Sequence, residues 1–79
     1  MKYEDMNPAK IGAKIRELRT ERGETAEELA TAINASASAI AMYENGYRIP
    51  RDEIKIRIAE HYVVPVESIF YTNKRHETC

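Results

Sequence analysis

The chain has 79 residues, room for one compact domain and no second one, and a chain of this size buries only about 60% of the surface it exposes when unfolded. Its 43% hydrophobic and 32% charged residues exclude a disordered tail, and no apolar run approaches the roughly 18 residues of a membrane-spanning helix. The formal charge of −1 excludes a globally basic nucleic-acid signature, so any case for nucleic acid rests on where charges sit. Met1 to Lys10 carry charges of both signs and no apolar stretch with a small-residue cleavage site, so no secretory signal is expected and the cytoplasm is the expected location. Cys79, the single cysteine, cannot form an internal disulfide, which agrees with a reducing compartment.

Asn7-Pro8 reads as an N-cap followed by proline at the first helical position, where its missing N–H costs nothing. Ile11, Ile15, Leu18 and the aliphatic stem of Arg22 recur at helical spacing, and Gly23 is placed to stop a first helix from Pro8 to about Arg22. Thr25-Ala26-Glu27-Glu28 has the form of a capping box and opens a second helix. Leu29, Ala30 and Ile33 supply its buried face, and Asn34, tolerant of positive φ, ends it. Ser36 offers a cap to a third helix, Ala37 to Asn45, with Ile40 and Tyr43 inward and Gly46 as terminator. Only Asn34, Ala35 and Ser36 connect helices 2 and 3, and this helix, short turn, helix length is that of a helix-turn-helix, although the turn lacks its usual glycine.

Ile54-Lys55-Ile56-Arg57-Ile58 alternates with period 2, as a half-exposed strand would. Asp52 and Glu53 as first-turn acids after a proline, and the helix formers of Ala59 to Tyr62, favour a fourth helix from about Arg51 to Tyr62. Val63-Val64-Pro65 breaks it. A short fifth helix from Val66 to about Tyr71 brings Ile69 and Phe70 to close the core. The expected fold is all-α with five helices: residues 1–7 form an arm, 8–71 the domain and 72–79 a polar, frayed tail.

The order of elements and the residues at their junctions resemble the Cro/repressor (XRE) helix-turn-helix family, a lambda-repressor-like fold. The resemblance runs from Ile11 to Phe70 through Ile11-Gly12, Ile15-Arg16, Leu18-Arg19, Gly23, Thr25, Glu27-Glu28-Leu29-Ala30, Ser36, Ile40, Tyr43-Glu44-Asn45-Gly46, Arg48, Pro50, Ile58-Ala59 and Ile69-Phe70. The stretch from Met42 to Lys55 is similar to short single-domain regulators of Gram-positive bacteria and their phages. The resemblance implies a sequence-specific DNA-binding transcriptional regulator, a repressor more readily than an activator, whose third helix enters the major groove of double-stranded DNA while the second crosses the backbone. It implies phosphate contacts from Thr25 and Ala26 at the N-terminus of helix 2 and from Asn45, Tyr47, Arg48 and Arg51 in the loop after helix 3, with Lys10 and Lys14 as weaker candidates. It also implies a partly buried ion pair between Arg19 and Glu44.

One departure bears on base reading. In the family the exposed positions of helix 3 often carry arginine, glutamine, lysine or serine, whereas Ser36-Ala37-Ser38-Ala39-Ile40-Ala41-Met42-Tyr43 holds no charge, and Ala26 replaces a glutamine frequent after the helix 2 cap. The expected base-reading residues are Ala37, Ser38, Ala41 and Met42. Ser38 supplies a hydrogen bond, the others touch thymine methyl groups, and part of the selectivity comes from DNA shape. The alternative is a protein-interaction module, an antirepressor or adaptor, since a smooth Ala/Met face also suits helix packing. Alanines are also simply good helix formers.

His61, His76 and Cys79 are the only soft metal ligands, and two of them sit on the tail, so no metal and no cofactor is expected. No glycine-rich phosphate loop, nucleophile-histidine-acid set or carboxylate dyad stands out, so no enzyme is expected. The acids mostly sit at helix N-termini or alternate with cations, as on solvated faces. One reading helix covers too few base pairs to select a genomic site, so a homodimer is expected, joined through the C-terminal region where Val64, Val66, Phe70 and Tyr71 come near the surface, with a regulatory protein as a possible further partner.

Overall fold

The computed structural model describes residues 7–70. Five helices follow one another: α1 (Pro8–Glu21), α2 (Ala26–Ile33), α3 (Ala37–Glu44), α4 (Asp52–Tyr62) and α5 (Val66–Phe70). No strand occurs among the described residues, and none of their helices is long and apolar enough to cross a membrane. The helices stop one residue short of Arg22 and Asn45, and α4 starts one residue after Arg51, because these three act as half-helical caps. Tyr71, His76 and Cys79 lie outside the described residues.

Each start has a local cause. Asn7 Oδ1 accepts hydrogen bonds from the Ala9 and Lys10 amides at 2.9 and 3.2 Å. At α2 the Thr25 hydroxyl accepts from the Glu28 N–H at 3.0 Å while the Glu28 carboxylate accepts from the Thr25 N–H at 2.8 Å, closing the capping box. Ser36 Oγ accepts from the Ala39 N–H at 3.0 Å. Four helix ends share one geometry. A left-handed residue, in turn Gly23, Asn34, Gly46 and Val63, follows the last turn, and the next amide reaches back five residues: Glu24 to Arg19, Ala35 to Ala30, Tyr47 to Met42 and Val64 to Ala59. Glycine and asparagine tolerate that conformation; a β-branched valine at φ 57° does not, so the α4 terminus is strained.

The core takes residues from every helix: Ile11 and Ile15, then Leu29, Ala30 and Ile33, then Ile40 and Tyr43, then Ile58, Ala59 and Tyr62, and finally Ile69 and Phe70. The alternating isoleucines resolve as helix. Lys55, Ile58, Ala59 and Tyr62, at i, i+3, i+4 and i+7, form the buried stripe of α4, and Ile56 faces outward. A lysine therefore occupies a core-facing position. Its ammonium sits 3.4 Å from Asp52 and 5.8 Å from the centre of the Phe70 ring, so its stem packs while its head stays paired.

Two expectations are corrected. Phe70 does not come near the surface for pairing, because α5 folds back over the core and buries it completely; Val64 and Val66 are half-buried against the same cluster. Arg22 does not lay its stem in the core. It is exposed, and its guanidinium stacks 5.1 Å from the Tyr62 ring centre and donates to the His61 carbonyl at 2.9 Å.

Candidate nucleic-acid interface

Helix α3 turns its Ile40, Tyr43 and Glu44 side inward. Ser38, Ala41, Met42 and Asn45 are exposed and, at about 100° per residue, share one outward arc, with Ala37 half-buried at its margin. The arc is uncharged and carries one hydroxyl, one amide and small or flexible apolar groups.

How α3 is held decides what that arc can meet. Gly12 on α1 is buried where the two helices cross, and a Cβ there would lie 2.4 and 2.5 Å from the Glu44 and Tyr43 carbonyl oxygens. Only glycine permits this approach. Beside the crossing, Arg19 Nε donates to Glu44 at 2.6 Å and a terminal guanidinium nitrogen at 3.1 Å. Arg16 adds a bond to Glu44 at 3.4 Å and one to the Asn45 side chain at 3.3 Å. An acid at a helix C-terminus opposes the helix dipole, and the two guanidiniums offset both that field and the burial of a carboxylate only 4% exposed. The hydrogen bond to Glu44 raises the Arg19 pKa above its ordinary value, against the opposing effect of burial.

A second polar cluster fixes the entry to α2. Glu24, next to the Thr25 cap, lies 2.6 Å from His61 Nε2 and accepts from the Tyr62 hydroxyl at 2.5 Å, while Arg19 donates to its backbone carbonyl at 2.8 Å. Burial pushes the Glu24 carboxyl up, but the bonds from Tyr62 and His61 outweigh it, and the net effect is a lowered pKa. Burial first, and then the bond to Glu24, push the Tyr62 phenol well above its ordinary value.

Few cations remain available among the described residues: the exposed Lys10 in the first turn of α1, and two arginines in one loop. Lys14, Arg16, Arg19, Lys55, Arg57 and His61 each have an acidic partner, and Arg22 is taken up by Tyr62. Arg48 and Arg51 are exposed and make no ion pair among the described residues. Both belong to the loop between α3 and α4, where Tyr47 is 77% exposed. At the start of α2 the capping box already uses the Thr25 and Glu28 amides, and Glu27 and Glu28 bring negative charge, so Ala26 and Thr25 offer a weaker anion contact than the arginine loop.

Residues 15–69 match the helix-turn-helix family. The chain belongs to the XRE-type helix-turn-helix family. It is 38% identical over 62 residues to the HTH-type transcriptional repressor RghR of Bacillus subtilis, which covers 77% of this chain and 46% of that protein. Over 59 residues it is 35% identical to the cryptic phage CTXphi transcriptional repressor RstR of Vibrio cholerae, covering 75% of this chain and 53% of that one. The chain thus spans about half the length of these curated relatives. Among solved structures it superposes with a TM-score of 0.72 and 28% identity on Bacillus thuringiensis PlcR in complex with the peptide PapR7 and DNA, over 77% of this chain and 21% of that one.

In this helix-turn-helix domain the structure brings Ser38, Ala41, Met42 and Asn45 onto one surface, and places Arg48, Arg51 and Tyr47 on the adjoining loop. Thr25 and Ala26 stand at the far end of α2. Sequence reasoning assigned no role to Gly12, Arg16 or Glu24. A signal existed for the first two: Gly12, Arg16 and Arg19 recur at i, i+4 and i+7, one face of α1. Glu24 had none, since its partners lie 37 and 38 residues away.

Proposed function

We propose that this domain binds double-stranded DNA, placing α3 in the major groove with Ala37, Ser38, Ala41 and Met42 toward base edges, and represses transcription by occupying a promoter. The carrying observation is the pairing of an uncharged outward arc on α3 with Arg48 and Arg51, two exposed guanidiniums without an acidic partner among the described residues, on the loop directly after it. Phosphates are gripped by Arg48 and Arg51, with hydrogen bonds from Asn45 and Tyr47 and a lesser contribution from Thr25 and Ala26. The repressor names of the two curated relatives and the DNA in the PlcR complex support the same reading. The domain corresponds to residues 8–71, acts in the cytoplasm, carries no catalysis, and pairs as a homodimer so that two half-sites about one helical turn apart are read together. With Phe70 buried, the described part of the pairing surface is the half-buried Val64 and Val66.

Fluorescence anisotropy with the DNA upstream of its own gene tests this. Affinity should fall steeply with salt, and Arg48→Ala should weaken binding to all sequences about equally while lowering the salt slope by about 1 per protomer. In selection from a random library, Ser38→Ala should relax preference at one base position. Tight capture of a protein partner together with no DNA binding at low salt would instead establish the interaction-module reading.

A further inference from the structure

The turn between α2 and α3 and the loop between α3 and α4 enclose an open cleft of about 460 Å³, within the size range of small-molecule sites. Its lining includes Ser36, Tyr43, Arg48, Arg51 and Ile54. Three features suit it to an anion. Arg48 and Arg51 both line it, and neither has an ion-pair partner among the described residues. Arg51 is also the N-cap of α4, which has no side-chain cap, so the first N–H groups of an 11-residue helix are open to an acceptor there. The nearby first-turn acids are occupied: Asp52 with Lys55 at 3.4 Å and Glu53 with Arg57 at 3.3 Å. The third feature is independent of charge. Tyr43 is 8% exposed and lines the cleft, yet its hydroxyl makes no hydrogen bond among the described residues, although buried phenols take a partner.

We propose that this cleft binds the phosphoryl group of a small phosphorylated molecule, with Arg48 and Arg51 as a guanidinium clamp, the α4 N-terminus as amide donor and Tyr43 as a hydroxyl donor. Guanidinium forks and helix N-termini suit a phosphoryl oxyanion better than a lone carboxylate, because three oxygens accept from several directions. The apolar Ile54 wall leaves room for an attached organic group. The proposal rests in part on the DNA reading above, since the DNA backbone presents the same oxyanion chemistry to the same arginines; a bound small molecule then competes with the duplex.

The test uses the full chain, with backbone amide NMR shifts followed during titration with inorganic phosphate against sodium chloride at matched ionic strength. Saturating shifts at Arg51, Asp52 and Glu53 that chloride does not reproduce, with Kd raised about tenfold in Arg48→Gln and Arg51→Gln and also raised in Tyr43→Phe, are the expected result. Both arginines are exposed, so these variants keep the fold. Equal shifts with chloride, or linear shifts without saturation, overturn the proposal. A parallel titration with duplex DNA separates the sources: the same amides responding to DNA but not to phosphate also overturns it, because the backbone is then the only phosphoryl group accepted. A chain that saturates with phosphate yet ignores DNA at low salt keeps this site and removes the DNA reading.

Discussion

Replacing Glu44 by alanine removes a carboxylate that accepts two bonds from Arg19, at 2.6 and 3.1 Å, and one from Arg16 at 3.4 Å. Breaking a well-buried ion pair costs about 3–5 kcal/mol because the survivor is left uncompensated. Arg19 retains its bond to the Glu24 carbonyl and its side chain is 17% exposed, which moves the loss to the lower end, about 3 kcal/mol. For a domain of this size that corresponds to a fall in Tm of roughly 12–24 °C. Arg16, at 54% exposed, should cost under about 1 kcal/mol when changed to alanine. Urea unfolding followed by circular dichroism measures both through the midpoint at constant m. Glu44→Met combined with Arg19→Met should recover much of the loss, since an apolar pair of similar volume leaves no stranded charge, and the double-mutant cycle should return a coupling above about 1 kcal/mol. A Glu44→Ala midpoint equal to wild type would refute the view that this pair seats α3 on α1.

Gly12→Ala should destabilise by about 2 kcal/mol or more in the same urea assay, since the added methyl meets two backbone carbonyls that no rotamer change can move, and this outweighs a helix-propensity gain of about 1 kcal/mol. Val63→Gly should stabilise by about 1 kcal/mol, because the 82% exposed side chain loses little packing while the left-handed strain disappears; an unchanged midpoint would argue that the strain is small. Glu24, whose folded pKa is depressed, contributes its full stability above the ordinary carboxylate value of 4.5 and loses it as pH falls through the lower folded value. Glu24→Gln should therefore flatten the acid limb of a stability-pH profile. Tyr62 has the opposite sign. Its raised folded pKa gives a contribution that is full below the ordinary value of 10.0 and lost as pH rises past it, so Tyr62→Phe should flatten the alkaline limb.

Helix number and limits were legible because they depend on neighbours in the chain. Caps at Asn7, Thr25 and Ser36 and stops at Gly23, Asn34 and Gly46 act through hydrogen bonds or φ preferences that span a few residues. The same holds for the inward positions, since the 3.6-residue period assigns Ile40 and Tyr43 to one side of α3 and Ser38 and Ala41 to the other. Val63 escaped this logic. Its left-handed backbone goes against its own preference and is imposed by the turn that sends α5 back over the core.

The charge map belonged to the tertiary structure. Composition counts twelve lysines and arginines, but only packing reveals which of them are consumed: Arg16 and Arg19 by Glu44, Arg22 by Tyr62, and Lys55 against Phe70. Phe70, apolar and near the end of the chain, read equally as pairing surface or core until α5 closed. Sequence therefore determined a helix-turn-helix with an uncharged outward arc, because amphipathic period and capping are local. Assembly alone decided that Arg48 and Arg51 stand beside that arc unpaired among the described residues, because ion pairing and burial depend on distances between residues far apart in the chain.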